Sequence, residues 1–374
     1  MVGNSFGRMF RVTTCGESYG DALLTIVDGV PAGLALTDAD IQAELDRRRP
    51  GTSAIESPRQ ETDRVHIVAG LMDGVTTGAP VGMTIYNVDR LPEHVEQYRE
   101  VKELVRPGHA EYGYFIKYGQ YTDWCGAGRA SGRETAGRVC AGGVARKILA
   151  RDNIEIVAYV KELGGIAARE MTFEEIKANR DANIARCPDP EAAERMIART
   201  LEVKEEGDTC GGIVEVIARG VPPGLGEPVF DKLDATIAHG MMSIGAVKGV
   251  EIGEGFRAAR LLGSQNNDLL YLDDAGKVRF RTNHAGGILG GISNGDDIVV
   301  RIAVKPTSTI SKRQETINII KMEPATFRAT TRRDATICPR TVPVAEAMLA
   351  IILTDHLMIW RGYNALQYFK RPWE

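Results

Sequence analysis

The longest apolar stretch of this chain, Val342 to Trp360, carries Glu346, Asp355 and His356 inside it. Three polar groups at membrane depth would be costly. The stretch therefore predicts a buried or amphipathic helix rather than a membrane span. A long closing helix of that kind needs a large core, and 374 residues can supply one, as one big domain or two moderate ones.

Upstream, strands and helices alternate irregularly. Leu23 to Val27 reads as a buried strand ended by Asp28-Gly29 and Pro31. Thr37-Asp38-Ala39-Asp40 resembles an N-cap, and its helix runs to Arg47-Arg48-Arg49, where Pro50-Gly51 stop it. Val65 to Leu71 and Val81 to Tyr86 look like strands. Ser131-Gly132-Arg133-Glu134 fits a capping box. The helix it opens runs to about Ala150, and Gly137, Ala141, Gly142 and Gly143 permit close packing there. Ile154 to Val160, Gly211 to Ala218, Val247 to Ile252 and Ile298 to Val304 read as strands, and Pro228 to Ile244 as a helix. Residues 165–209 read as charged, peripheral helices and loops. Strands following strands argue for α+β layers with much antiparallel pairing, not a doubly wound sheet. Without a low-complexity linker or a short repeat, the reading is a single domain over residues 1–374.

The 43% hydrophobic and 26% charged residues are ordinary for a globular protein. A net charge of -4 gives no overall field that attracts nucleic acid or membrane. The basic residues are skewed, with 33 arginines against 13 lysines. Arginine is preferred where planar anions are gripped at two points. Codon usage accounts for the total equally well, but not for arginines placed beside glycines. The six cysteines are scattered without CxxC spacing, and no amino-terminal signal peptide is visible. Both facts favour free thiols in a reducing cytoplasm and argue against a zinc site.

Four segments carry candidate chemistry. Arg106-Pro107-Gly108-His109 joins a cation, a fixed turn and an imidazole, ahead of Tyr112, Tyr114, Phe115 and Tyr118. An ordinary pKa of ~6.5 suits His109 to acid or base work. A lone histidine is usually structural, and Arg106 and Tyr112 bring the two readings level. His239 and His284, beside glycines, are weaker candidates; His66, His94 and His356 read as structural. Gly126 to Thr135 leads a glycine-rich approach into a helix start flanked by Arg129 and Arg133. Unpaired N–H groups and partial positive charge there suit an anion; the alternative is an ordinary capped helix with solvated arginines. Lys305-Pro306-Thr307-Ser308-Thr309 offers an ammonium and three hydroxyls, for a phosphate or simply for a polar loop. Arg332-Arg333-Asp334, taken alone, is first a surface ion pair.

Long blocks, in order, resemble the chorismate synthase family across essentially the whole chain. They include Gly3-Asn4-Ser5-Phe6-Gly7, Gly16-Glu17-Ser18, Asp46 to Ser53, Arg106 to Ala110, Arg133-Glu134-Thr135-Ala136, Gly224 to Phe230, Val247 to Gly253, the glycine loop at 283–293, Lys305-Pro306-Thr307 and Val342 to Met348. The resemblance implies a β-α-β sandwich with largely antiparallel sheets and a long C-terminal helix, usually as a homotetramer. It implies an anti-1,4-elimination of phosphate from 5-enolpyruvylshikimate 3-phosphate that needs reduced FMN. NADPH is then a candidate source of reducing equivalents, and an external flavin reductase a candidate partner. By the same resemblance His109 lies near the flavin N1 and O2, and Asp334 assists proton transfer at N5. Arg129, Ala130, Ser131, Gly245, Ala246, Gly290, Lys305, Pro306, Thr307, Ser308, Thr309 and Arg332 fall on flavin contacts. Arg48 matches an arginine that binds substrate or dinucleotide. Arg133 and Arg340 are further substrate-side candidates, although the resemblance specifies no role for Arg340.

The chain also departs from the family. Tyr19 stands in Gly16-Glu17-Ser18-Tyr19-Gly20 where a histidine, the proposed acid for the leaving phosphate, is expected. With Ser18, Tyr19 remains a catalytic candidate as a hydrogen-bond donor, but a phenol of ordinary pKa ~10 cannot be a cation. Losing a general acid costs roughly 10²–10⁴ in rate. Ala54 removes an expected arginine, Ala130 a serine and Gly245 an asparagine; Arg333 replaces a histidine, and Trp124-Cys125 a more basic pair. Three readings follow: an atypical member with the family reaction, a diverged flavin-dependent lyase or isomerase acting on a related cyclic carboxylate, or a non-catalytic FMN-binding protein.

Overall fold

The computed structural model describes residues 3–51, 53–56, 59, 61–329 and 334–364. Two five-stranded antiparallel sheets enclose a layer of helices. The first runs, in spatial order, Ser5–Phe6, Arg11–Cys15, Ala22–Asp28, Val81–Tyr86 and Val65–Ala69. The second runs Val247–Ile252, Ile298–Val304, Gly212–Arg219, Glu155–Leu163 and Ile166–Ala167. Between them lie α1 (Asp38–Arg48), α2 (Thr135–Ala150), α3 (Leu233–Met242) and α4 (Cys338–Asn364). α1 and α2 pack on the first sheet, α3 and α4 on the second, and α2 lies along α4. The α+β sandwich expected from the sequence is the one observed.

Local chemistry explains these elements. Thr37 caps α1 in a reciprocal box with Asp40. Strand Ala22–Asp28 turns Leu23, Thr25 and Val27 inward and leaves Leu24 and Ile26 exposed, the period of two a half-buried strand requires. The small residues of α2 let α1 and α4 approach. A Cβ on Gly142 would sit 2.6 Å from the Ala347 Cα, and one on Gly143 would sit 2.8 Å from Ile41 Cδ1.

Of Glu346, Asp355 and His356 inside α4, the two carboxylates are engaged by the frame, while buried His356 has no hydrogen-bond partner for Nδ1 among the described residues. Asp355 accepts backbone N–H groups from Arg8, Met9 and Phe10 at 3.0, 2.6 and 2.8 Å, pinning the chain's start to its closing helix. Glu346, fully buried, accepts Ala158 N–H at 2.7 Å and pairs with Arg47, Arg146 and Arg180. Burial alone would raise its pKa, but the three guanidiniums hold it at about 2.

Three expectations need correction. Ser131 Oγ accepts from Arg133 N–H and caps a short 3-10 turn, Gly132–Glu134, while Glu134 turns forward to Arg138 at 3.1 Å. The i,i+4 guanidinium wins over the reciprocal cap. The helix expected from Pro228 starts only at Leu233, because Glu227 N–H closes a loop onto Asp231 and Leu233 N–H is taken by Gly291. Helix Pro190–Glu205 is not peripheral: Ala192, Met196 and Val203 join the main core.

Candidate active site

The site rests on a buried carboxylate that sequence reading did not find. The end of α1 delivers Arg48, 1% exposed, onto Asp63 Oδ2 at 2.7 Å. Its other donors go to Thr135 Oγ1 at 3.2 Å and the Gly132 carbonyl at 2.9 Å. Arg133, from the turn before α2, reaches the other oxygen of Asp63 and donates from Nε to Asn87 Oδ1 at 2.7 Å. Burial would raise the pKa of Asp63, yet Arg48 and Arg133 outweigh it and hold the carboxyl below its ordinary range. Burial also pushes Arg48 down to about 10, opposed by Asp63 and reinforced by Arg340 and Arg133.

This frame grips the loop carrying Ser18 and Tyr19. Asn87 donates to the carbonyls of Glu17 and Gly20 at 3.0 and 2.8 Å. Arg59 donates to Ser18 Oγ at 3.0 Å and to Glu61 at 2.8 Å, and Glu61 lies 3.6 Å from Arg133. Three guanidiniums (Arg48, Arg59, Arg133) thus face two carboxylates (Glu61, Asp63). Arg129 ties the glycine-rich approach to the first sheet, donating to the Gly16 carbonyl at 3.0 Å and Thr14 Oγ1 at 2.9 Å.

A second region is built from two loops. Lys305 Nζ donates to the Gly108 carbonyl at 2.7 Å, and Lys305 N–H to the Ala246 carbonyl at 2.9 Å. Arg106 holds Glu111 at 2.7 Å and reaches Thr309 Oγ1 at 3.4 Å. Gly108 sits at φ +71°, where a Cβ would stand 3.3 Å from Ser308 Cβ, so both conformation and contact favour glycine. Hairpin Gln314–Asn318/Glu323–Phe327 braces the turn through Val105 N–H on the Ile317 carbonyl at 3.3 Å. His109 Nδ1 is buried and has no hydrogen-bond partner among the described residues. Burial lowers the pKa of His109 to about 4, with Arg106 and Lys305 adding to the shift and Glu111 opposing it.

The two regions are continuous. Thr307 Oγ1 donates to the Asp334 carbonyl at 2.8 Å, Arg340 donates to the Asp334 carboxylate at 3.2 Å, and Arg340 Nε reaches the Arg48 carbonyl at 3.4 Å. The structure therefore brings together His109, Lys305 to Thr309, Ala246 and Asp334 on one side, and Ser18, Tyr19, Arg48, Arg129 and Arg133 on the other. Gly290 is set apart: it turns a hairpin at the start of α3, while Gly245 and Ala246 follow that helix's end, about 15 Å of helix away. Arg332 lies outside the described residues. Sequence reading missed Arg59, Glu61, Asp63 and Asn87. Their signal was faint, polar residues flanking two strand-like runs.

A β-α-β sandwich whose central helices and loops converge as a guanidinium-rich cluster defines an anion-handling site on an α+β fold. The sequence model of chorismate synthase matches residues 10–358. A protein of Acetivibrio thermocellus named chorismate synthase is 55% identical over 98% of this chain and 97% of its own length. Proteins of the same name from Chloroflexus aurantiacus and Methanosarcina mazei are 53% and 52% identical over 96% of the chain. They are themselves covered over 96% and 97% of their lengths. A solved structure described as chorismate synthase superposes with a TM-score of 0.76 at 33% identity, covering 96% of this chain and 94% of its own. The chain belongs to the chorismate synthase family.

Proposed function

We propose that this chain is a carbon-oxygen lyase that eliminates phosphate from 5-enolpyruvylshikimate 3-phosphate to give chorismate, with reduced FMN as cofactor. The observation that carries the reading is the convergence of an orphaned imidazole nitrogen, a lysine-threonine loop and an arginine frame in a chain alike to its relatives from end to end. That full-length likeness favours the family reaction over a diverged lyase or a non-catalytic flavin binder.

The residues fit a flavin. Among the described residues, His109 Nδ1 is an unused buried polar atom, and nothing lies within 4 Å of a Cβ placed on Gly245. Lys305, whose ammonium is partnered by a carbonyl, adds a cation beside the His109 turn, while Arg106 is paired with Glu111. When bound, reduced FMN supplies electron density to the breaking bond. The chain's own residues do the rest. His109, neutral at physiological pH, presents its unused nitrogen to the cofactor. Asp334, oriented by Arg340, is placed to hold a proton. The guanidiniums of Arg59 and Arg133 beside the Ser18–Tyr19 loop stabilise the charge that gathers on the leaving phosphate. NADPH or an external reductase supplies the electrons. The unit is one domain, since both sheets share the helix layer. It assembles as a homotetramer, and the exposed apolar face of the first sheet (Leu24, Ile26, Val68, Tyr86) supports self-association.

Anaerobic incubation with reduced FMN and the enolpyruvyl substrate tests the reading. Chorismate should form and flavin should be regenerated in its reduced state. Tight FMN binding without product would overturn it.

A further inference from the structure

The residue in the phosphate-side loop that has no assigned task is Arg59. Its guanidinium donates from Nη1 to Ser18 Oγ at 3.0 Å, from Nη2 to the Ser18 carbonyl at 3.2 Å, and to Glu61 Oε1 at 2.8 Å. It also lies over the ring of Tyr19, with Cζ 5.6 Å from the centroid. That separation is within the range of a cation–π contact. The Tyr19 ring is fixed on two further sides. Tyr98 meets it edge-on at 5.4 Å, and Gly126 presses its backbone so closely that a Cβ there would lie 2.5 Å from Tyr19 Cδ2.

We propose that Arg59 is a positioning residue for Tyr19: it holds the phenol in place through Ser18 and strengthens its hydroxyl as a proton donor toward the departing phosphate. The proposal rests on the elimination reading above. The physical reason is electrostatic. A cation over the ring stabilises negative charge developing on the phenol oxygen, so the O–H gives its proton more readily. Among the described residues, Arg59 lies over the Tyr19 ring and is linked to Glu61 and through it to Arg133, Glu17 precedes on the same loop, and Asp123 and Arg99 flank the Cys125–Gly128 turn that packs against the ring. Glu61 does not cancel Arg59, because it is shared with Arg133 at 3.6 Å. A fixed phenol with a guanidinium beside it thus offers the proton and the charge that a histidinium would otherwise combine in one ring. The proton moves from Tyr19 Oη to the leaving phosphate oxygen as the C–O bond breaks, and it is recovered from solvent.

A double-mutant cycle tests this in the holoenzyme. Tyr19→Phe should lower kcat roughly 10²-fold, within the range for a lost general acid. Arg59→Met should lower kcat by about 10-fold or more with KM changed less than threefold, and Arg59→Lys should recover most of it. In the Tyr19→Phe background Arg59→Met should cost almost nothing further, because its effect runs through the missing hydroxyl. Independent, multiplying effects would overturn the proposal, as would an Arg59→Met enzyme with wild-type kcat. A second readout does not need turnover. With 3-fluorotyrosine at position 19, the ¹⁹F resonance should titrate at higher pH in Arg59→Met than in the parent. Equal midpoints sink the inference. A shifted midpoint in a protein that makes no chorismate leaves the tuning intact and removes the elimination reading instead.

Discussion

The Asp63 frame and the His109 loop pair are both buried and both rich in cations, yet they are built in opposite ways. Around Asp63, the guanidiniums of Arg48 and Arg133 meet carboxylate, hydroxyl, amide or carbonyl partners at hydrogen-bond distance, except at Arg133 Nη2, which stands 3.6 Å from Glu61. Around His109, a buried ring nitrogen has no hydrogen-bond partner among the described residues, although Arg106 and Lys305 stand close by. The difference teaches where rigidity ends and binding begins. Buried charges that are paired hold loops in register; a buried polar atom left unpaired costs free energy unless a ligand completes it.

The largest expected effect breaks the first region. Asp63→Asn leaves Arg48 and Arg133 facing each other without their carboxylate. Loss of one partner from a buried ion pair typically destabilises by about 3–5 kcal/mol. Guanidinium denaturation should show a loss of that order; a change below 1 kcal/mol would mean the frame is not held by charge.

The second effect sharpens the contrast through pH. The folded-state pKa of His109, about 4, lies below its ordinary value of 6.5. The unfolded chain therefore binds the extra proton first, so this contribution is fully present above pH 6.5 and is lost as pH falls through 4. Between pH 7 and 4 the parent should lose on the order of 1–3 kcal/mol more stability than His109→Ala. Parallel curves for the two proteins would contradict a neutral, buried imidazole.

A smaller effect probes the turn itself. Gly108→Ala places a side chain at φ +71° and against Ser308, at a cost of about 1–2 kcal/mol. Flavin affinity should weaken with it, since the Lys305 contact to the Gly108 carbonyl is disturbed. Unchanged flavin affinity would detach this turn from the cofactor.

How much of this was legible depends on the range over which each residue finds its partner. The Thr37–Asp40 cap could be read because both groups sit within four residues. The inward and outward faces of Ala22–Asp28 could be read from period two. Ser131 was misread because Glu134 had a second partner one turn on, and propensity cannot rank the two. The loops carrying His109 and Lys305 were visible as motifs, but not their contact, which joins residues 197 positions apart. Asp63 was invisible for the same reason: its partners Arg48 and Arg133 lie 15 and 70 positions away, and nothing local marks a surface-type residue as the buried centre of a cluster. The hairpin Gln314–Asn318/Glu323–Phe327 escaped because the less exposed positions of its first strand, Gln314, Thr316 and Asn318, are polar, so no apolar period of two marks it.

The claim that the site consists of two regions with separate tasks is tested most directly by titrating two ligands into two variants. Reduced FMN and inorganic phosphate would be titrated into His109→Ala and Tyr19→Phe by calorimetry under anaerobic conditions. The account predicts that His109→Ala weakens flavin about tenfold or more and leaves phosphate unchanged, while Tyr19→Phe weakens phosphate and leaves flavin unchanged. Two variants that each shift both affinities alike would contradict the division.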